Sequence, residues 1–170
     1  MIALMRIDNR LIHGQVALLW TKHLQANRII VANDTIVKNE VQVAALKMAC
    51  PATAKCSVLS VADAIKVLND PRAERLRIFI VVNNPTDARR IVEAVPSVPL
   101  VNISNYGHLG DDLKERVKIT DTVYATPSDL EDFARIQKTG VKCQYQVVPD
   151  NTAENMYGLI KKAKIQKGGK

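Results

Sequence analysis

The sequence predicts an α/β protein built in three layers, with helices on both faces of a mainly parallel central sheet of six to seven strands. Three observations carry that prediction. Short apolar runs and amphipathic stretches alternate about six times along the chain, which is the pattern of repeated strand–helix units. The run Ile78–Val82 (IFIVV) is apolar at every position, as a central strand covered on both faces requires. Helix-start signals stand where the apolar runs end: Ser60 with Asp63, and Thr126-Pro127-Ser128-Asp129, each resembling a capping box, the second with proline at its first helical position.

In chain order, Ile2–Ile7 reads as the first strand, Asp8–Ile12 as a turn, and Gly14 onward as the first helix. Arg28–Ala32 is the second strand. Val37, Val41, Ala44 and Met48 then recur at helical spacing and predict an apolar stripe. Cys56–Leu59 and Arg77–Val82 are the third and fourth strands. Ala88, Ile91, Val92 and Val95 mark the next helix, and Leu100–Ile103 the fifth strand. Asp121–Ala125 is a sixth candidate, followed by a helix carrying Leu130, Phe133 and Ala134. Val141–Val147 is the last strand candidate. A final helix from about Thr152 to Lys164 places Met156, Leu159, Ile160 and Ala163 on one face. No repeat or low-complexity linker interrupts this order, so residues 1–164 are read as a single domain and 165–170 as a basic tail.

The composition narrows the function classes. The chain has 170 residues, 47% of them hydrophobic and 24% charged, which suits one soluble domain with a full core. No apolar run approaches the roughly 20 residues of a membrane span, and the N-terminus lacks the pattern of a signal peptide. A cytoplasmic location is expected. The three cysteines are scattered and form no CxxC, so they read as small apolar residues, not as a disulfide framework or a zinc site. The net charge of +7 is concentrated in the last ten residues, KKAKIQKGGK. Residues 1–160 hold 19 basic against 17 acidic groups. A nearly neutral body with few aromatics is no footprint for nucleic acid. There is also no GxxxxGK[ST], no GxGxxG after the first strand, no GxSxG and no HExxH, which removes the commonest nucleotide, hydrolase and zinc chemistries of such folds.

What remains is the stretch RIDNRLIHGQVALLW, Arg6 to Trp20. In sheets of this kind ligands bind beyond the C-terminal strand ends. The candidate loops are therefore Asp8–Ile12, Asn33–Thr35, Asn83–Thr86 and Ser104–Gly110. His13 falls at the start of the first helix, where unpaired N–H groups and the positive dipole end attract anions and favour a neutral imidazole with a free nitrogen. Arg10, on the same turn, could offer a forked guanidinium to phosphoryl oxygens. Gly14 leaves room beside the ring, and Asp8 could orient Arg10 or the imidazole. These are parts of a phosphoryl acceptor. They fit equally a capping histidine beside a surface ion pair.

The stretch Arg6-Ile7-Asp8-Asn9-Arg10-Leu11-Ile12-His13-Gly14-Gln15-Val16, with Trp20 four residues on, closely resembles the signature of the enzyme IIB components of the bacterial sugar phosphotransferase system, mannose/fructose/sorbose class. Softer matches at VVNNPTDARRIV (Val81–Val92), VNISNYG (Val101–Gly107) and QVVPD (Gln146–Asp150) extend the resemblance over nearly the whole chain. It implies a sheet in the order 3-2-4-1-5-6 with a small addition, and loops at Asn83–Thr86 and Ser104–Gly107 flanking His13. It implies that a phosphohistidine on a IIA partner passes its phosphoryl group to His13, at Nδ1, with Arg10 steadying it. The group then goes to a sugar brought in through membrane components IIC and IID. Asp8 matches a motif position and is read as orienting. Gly14, Gln15, Ser104 and Asn105 are read as phosphoryl-binding, although Ser104 and Asn105 stand where relatives often carry glycine and small residues. His23 and His108 are expected to be structural or surface residues, with His108 the nearer to the site. No metal or cofactor is expected. Peripheral association with the membrane transporter follows from the same resemblance, and a homo-oligomer is compatible with the sequence. The alternative is a non-catalytic regulatory or anion-binding α/β module of the same fold.

Overall fold

The computed structural model describes residues 1–109 and 112–168 and, for Gln15 and Val16, the backbone only. Its strands are β1 (Ile2–Asp8), β2 (Arg28–Ala32), β3 (Lys55–Leu59), β4 (Ile78–Val82), β5 (Leu100–Asn105), β6 (Val117–Lys118), β7 (Tyr124–Ala125), β8 (Lys142–Tyr145) and β9 (Glu154–Asn155). Its α-helices are α1 (Gly14–His23), α2 (Glu40–Ala49), α3 (Val61–Leu68), α4 (Pro85–Ala94), α5 (Pro127–Lys138) and α6 (Met156–Gly168).

Seven strands form one sheet in the order β3-β2-β4-β1-β5-β8-β9. Every neighbour pair is parallel except the last, where β9 returns antiparallel along β8. The expected order thus holds through its first five places. The sixth belongs to the Val141–Val147 run and not to Asp121–Ala125. That earlier run pairs Tyr124–Ala125 with Val117–Lys118 in a separate two-stranded ribbon and meets the chain just beyond β5 through an isolated bridge between Val123 and Tyr106. Val123 and Ala125 are buried in the core all the same, so this run packs against the main sheet's layer without extending its ladder.

Strand alternation divides the core between the two faces. In β4, Ile78, Ile80 and Val82 pack with residues of α3, α4, α5 and α6, among them Ala64, Ile91, Phe133 and Ile160. Phe79 and Val81 face the other way, against Ala17 and Trp20 of α1, Leu24 just beyond it, and Leu46 of α2. The IFIVV strand is therefore buried on both sides. Capping agrees with the sequence: Thr126 and Asp129 form a reciprocal capping box, and the Ser60 hydroxyl accepts from the Asp63 amide at 3.1 Å.

Two expectations are corrected. The Val37–Val41–Ala44–Met48 stripe does not face the core: Val41 is 79% exposed and Met48 87%. The helix meets the sheet instead through Leu46, with Cys50 just beyond it. The last helix starts at Met156, not Thr152, because Glu154–Asn155 pairs with β8. It runs on to Gly168, so part of the segment read as a tail is helical; Gly169 and Lys170 lie outside the described residues.

Candidate functional site

The site begins with an arginine inside the sheet. Leu4, Arg6 and Asp8 occupy alternate positions of β1 and so share the face toward α1, where Leu4 packs with Trp20. Arg6 and Asp8 are 2% and 0% exposed and form an ion pair of 3.1 Å. An isolated charge here would carry a large desolvation cost, so both ends are supplied with partners. One Arg6 nitrogen, Nη1, donates to Asn102 Oδ1 at 2.6 Å and to the Gln146 carbonyl at 3.3 Å. Nη2 donates to Asp8, to the Ser104 hydroxyl and to the Val147 carbonyl. The guanidinium carbon lies 5.2 Å from the Trp20 ring centroid, and the Trp20 indole N–H donates to the Val147 carbonyl at 3.0 Å. Burial lowers the Arg6 pKa, and the neighbouring Asp8 carboxylate opposes that shift.

Asp8 passes this rigidity to the loop that follows. Its Oδ2 accepts from Arg6 and from the Ser104 hydroxyl at 3.2 Å, while Oδ1 accepts the Arg10 backbone N–H at 3.1 Å. The Asp8 carbonyl takes the Leu11 N–H, and the Asn9 N–H goes to the Asn105 carbonyl. Leu11 adopts φ 56°, a left-handed conformation that a leucine occupies only when its surroundings hold it. Here its side chain is buried against the α1-side core.

The turn delivers His13 to the N-cap of α1. The imidazole does not cap the helix, and no acidic residue stands in its first turn, so the N-terminal amides keep their attraction for an anion. His13 Nδ1 lies 3.0 Å from the Leu11 carbonyl. A carbonyl only accepts, so this contact selects the Nδ1–H tautomer and leaves the lone pair on Nε2. Nε2 is buried and has no partner among the described residues. The expected attachment atom, Nδ1, is therefore engaged in this structure. Gly14 has φ 43°, and a Cβ there would meet nothing within 4 Å. Its glycine suits that left-handed backbone angle.

His13 and Arg10 border a cleft of about 770 Å³. Its walls are the loop Asn9–His13, residues Asn33, Thr35 and Ile36 beyond β2, the Gln42–Ala49 side of α2, and Asn83 and Asn84 beyond β4. The Arg10 side chain is 51% exposed, with Nε 3.9 Å from Asp8 Oδ1. It is tethered weakly and free to turn to a ligand. The opposite wall is a hydrogen-bonded amide cluster built on Asn33, Asn83, Asn84 and Asp87.

The loops proposed from sequence divide accordingly. Those after β1, β2 and β4 meet at the cleft; the loop after β5 does not line it. Ser104 and Asn105, read as phosphoryl-binding, are buried at 0% and 6%. The Ser104 hydroxyl is turned inward to Arg6 and Asp8, and the Asn105 amide to Ser104. The Gln15 side chain lies outside the described residues. His108 is half-buried and does not line the cleft, and His23 is exposed with its ring edge-on to Trp20 at 5.9 Å. Sequence reasoning did not find the role of Arg6 and Asn102. The available signal was two charges at i and i+2 within an otherwise apolar strand, which must share one face.

A family model described as the PTS system sorbose subfamily IIB component matches residues 2–170. A probable phosphotransferase enzyme IIB component of Streptococcus pyogenes is 40% identical over 164 residues, covering 94% of this chain and 99% of that protein. The mannose-specific EIIAB component of Escherichia coli is 32% identical over 161 residues; the match takes 95% of this chain and 49% of that longer protein. Among solved structures, the IIB domain of the sorbose permease from Klebsiella pneumoniae superposes with a TM-score of 0.88 at 31% identity, over 95% of this chain and 97% of that one.

Proposed function

This chain belongs to the sorbose-subfamily IIB components of the sugar phosphotransferase system, which gives it a phosphotransferase role, and from that premise we propose that His13 carries the phosphoryl group. The observation that bears most weight is the position of His13: at the N-cap of α1, on the rim of the cleft, with the half-exposed Arg10 three residues before it.

The reaction has two transfers. In the first, the P–N bond of a phosphohistidine on a IIA partner breaks and a new P–N bond forms on the His13 ring. The proton that leaves His13 is balanced by the one that the donor imidazole regains. In the second, a sugar hydroxyl attacks phosphorus, the His13–phosphorus bond breaks, and the hydroxyl proton ends on the imidazole. Bond energies on the two sides of the first step are alike, so catalysis reduces to alignment and charge stabilisation. Arg10 and the N-terminal amides of α1 supply the positive field. Asp8 acts as a positioning residue by holding the Arg10 amide. Ser104 acts through Asp8 and Arg6, on the buried side of the loop. Attachment at Nδ1 proceeds from a state in which its contact with Leu11 is released, by a turn of the ring or an opening of the loop around Leu11 and Gly14.

A IIA donor is the natural partner, since one relative is itself an EIIAB component. The sugar would reach the phosphorylated protein through membrane components IIC and IID, from the mannose, fructose, sorbose or amino-sugar class. No described helix is long and apolar enough to cross a membrane, in keeping with action at the cytoplasmic face of such a transporter. Residues 1–164 would form the working unit. The test is to incubate the protein with the general phosphotransferase proteins, a IIA partner and labelled phosphoenolpyruvate. Label should appear on His13 and be missing from His13→Ala. Equal labelling of both would overturn the assignment, and no labelling of either would favour a regulatory or anion-binding module.

A further inference from the structure

The amide cluster across the cleft from His13 has an internal logic that singles out one of its members. Asn33 is fixed first: its Oδ1 accepts the backbone N–H groups of Thr35 and Ile36 at 3.0 and 2.9 Å, so its Nδ2 is the end that points at Asn83. Asn84 is fixed in the same way, because its Oδ1 accepts the Asp87 N–H at 2.8 Å. Both remaining NH2 groups donate to Asn83 Oδ1, at 3.1 and 2.7 Å. An amide that receives two donors on its oxygen has no freedom to flip. Its NH2 must then point away from both neighbours.

Asn83 Nδ2 has no acceptor among the described residues, nor is it among their buried unpaired atoms. It is open to solvent at the wall of the cleft that His13 and Arg10 border. The sheet register explains the proximity. Val82 pairs with Ile7, so Asn83 leaves β4 level with Asp8, at the root of the His13 loop. The two other amides are spent on the scaffold, and of the three Asn83 alone keeps an unengaged donor at the cleft wall.

We propose that Asn83 is a catalytic residue whose NH2 donates to an oxygen of the phosphoryl group as it arrives at and leaves His13. A neutral donor held in place before the reaction stabilises the charge of the transferring group without reorganising. It complements Arg10, which is half-exposed and cationic. The inference rests on His13 being the phosphoryl carrier.

The Asn83→Ala variant tests it cleanly, because Asn33 and Asn84 keep a second acceptor in Asp87 Oδ2, at 2.8 and 2.9 Å. The wall should survive the substitution, and a melting curve checks this. Single-turnover transfer from the phosphorylated IIA partner should slow by about 100-fold, the low end of the range for loss of one aimed donor, while KM for that partner stays within about twofold. Asn83→Asp, which sets a carboxylate toward the phosphoryl group, should be slower than Asn83→Ala. Transfer by Asn83→Ala within twofold of the unaltered protein would overturn the proposal, and so would a raised KM with unchanged kcat. If the unaltered protein takes no label, the carrier assignment fails instead, and the two failures are told apart.

Discussion

Two polar clusters flank the C-terminal end of β1, and they differ in almost everything except composition. On the β5 side, Arg6, Asp8, Asn102 and Ser104 are sealed beneath Trp20, each 2% exposed or less. On the β4 side, Asn33, Asn83 and Asn84 bond to one another around Asp87 but front an open cleft. The sealed cluster meets no ligand; it holds a loop. The open cluster and Arg10 stand where a ligand can come. On the proposed carrier role, placing His13 and admitting a partner protein are tasks separated to either side of one strand.

The comparison breaks most visibly at Arg6. Arg6→Met leaves the buried Asp8 carboxylate without its cation, which should cost about 3–5 kcal/mol of stability. Urea unfolding measures it. Adding Asp8→Leu to remove the stranded charge should restore part of the loss, whereas a purely additive double variant would show that the pair is not coupled. Arg10→Ala probes the open side. It should leave stability within about 0.5 kcal/mol and slow transfer by roughly 100- to 1,000-fold, as loss of a charge-stabilising donor does. Unchanged transfer would remove Arg10 from the mechanism.

Ser104 decides to which side the β5 loop belongs. With its hydroxyl committed to Arg6 and Asp8, Ser104→Ala should destabilise by about 1–3 kcal/mol and alter transfer far less than Arg10→Ala. The reverse outcome, intact stability with slow transfer, would return Ser104 to the phosphoryl group. The smallest effect lies at the outer edge of the open cluster. Asp34 accepts from Arg90 at 2.7 Å and from the Val61 N–H at 2.8 Å, and the Arg90 bond foremost holds its carboxyl below the usual value. A depressed folded pKa contributes stability that is complete above the unfolded value of about 3.9 and is lost as pH falls through the folded one. Asp34 is 48% exposed, so Asp34→Asn should cost less than about 1 kcal/mol at pH 7, a gap that closes as the solution is acidified.

The contrast also explains what could be read from the chain. Apolar periodicity made the strands around β1 legible, because every residue of IFIVV must be buried. It misled at α2, where Val41 and Met48 recur at helical spacing yet face solvent: periodicity identifies a stripe but not what covers it. At the site, His13, Arg10 and the loops after β2 and β4 were legible from their place at strand ends. Ser104 and Asn105 satisfy the same rule and are sealed. A polar residue at a strand end reads alike whether its side chain is turned to a ligand or to a buried arginine, and only the register of Arg6 opposite Asn102 separates the two. The role of Asn83 depends on which end of each amide is already engaged, information that no sequence pattern carries.

The carrier assignment is tested most directly by nitrogen and phosphorus NMR on the protein labelled with nitrogen-15 at its histidines, before and after phosphorylation through the IIA partner. The unphosphorylated protein should show His13 as the Nδ1–H tautomer held by Leu11. Phosphorylation should give one phosphohistidine resonance, shift the His13 ring nitrogens with phosphorus on Nδ1, and leave His23 and His108 unmoved. A phosphohistidine signal that persists in His13→Ala, or His13 nitrogens that do not respond, would contradict the account.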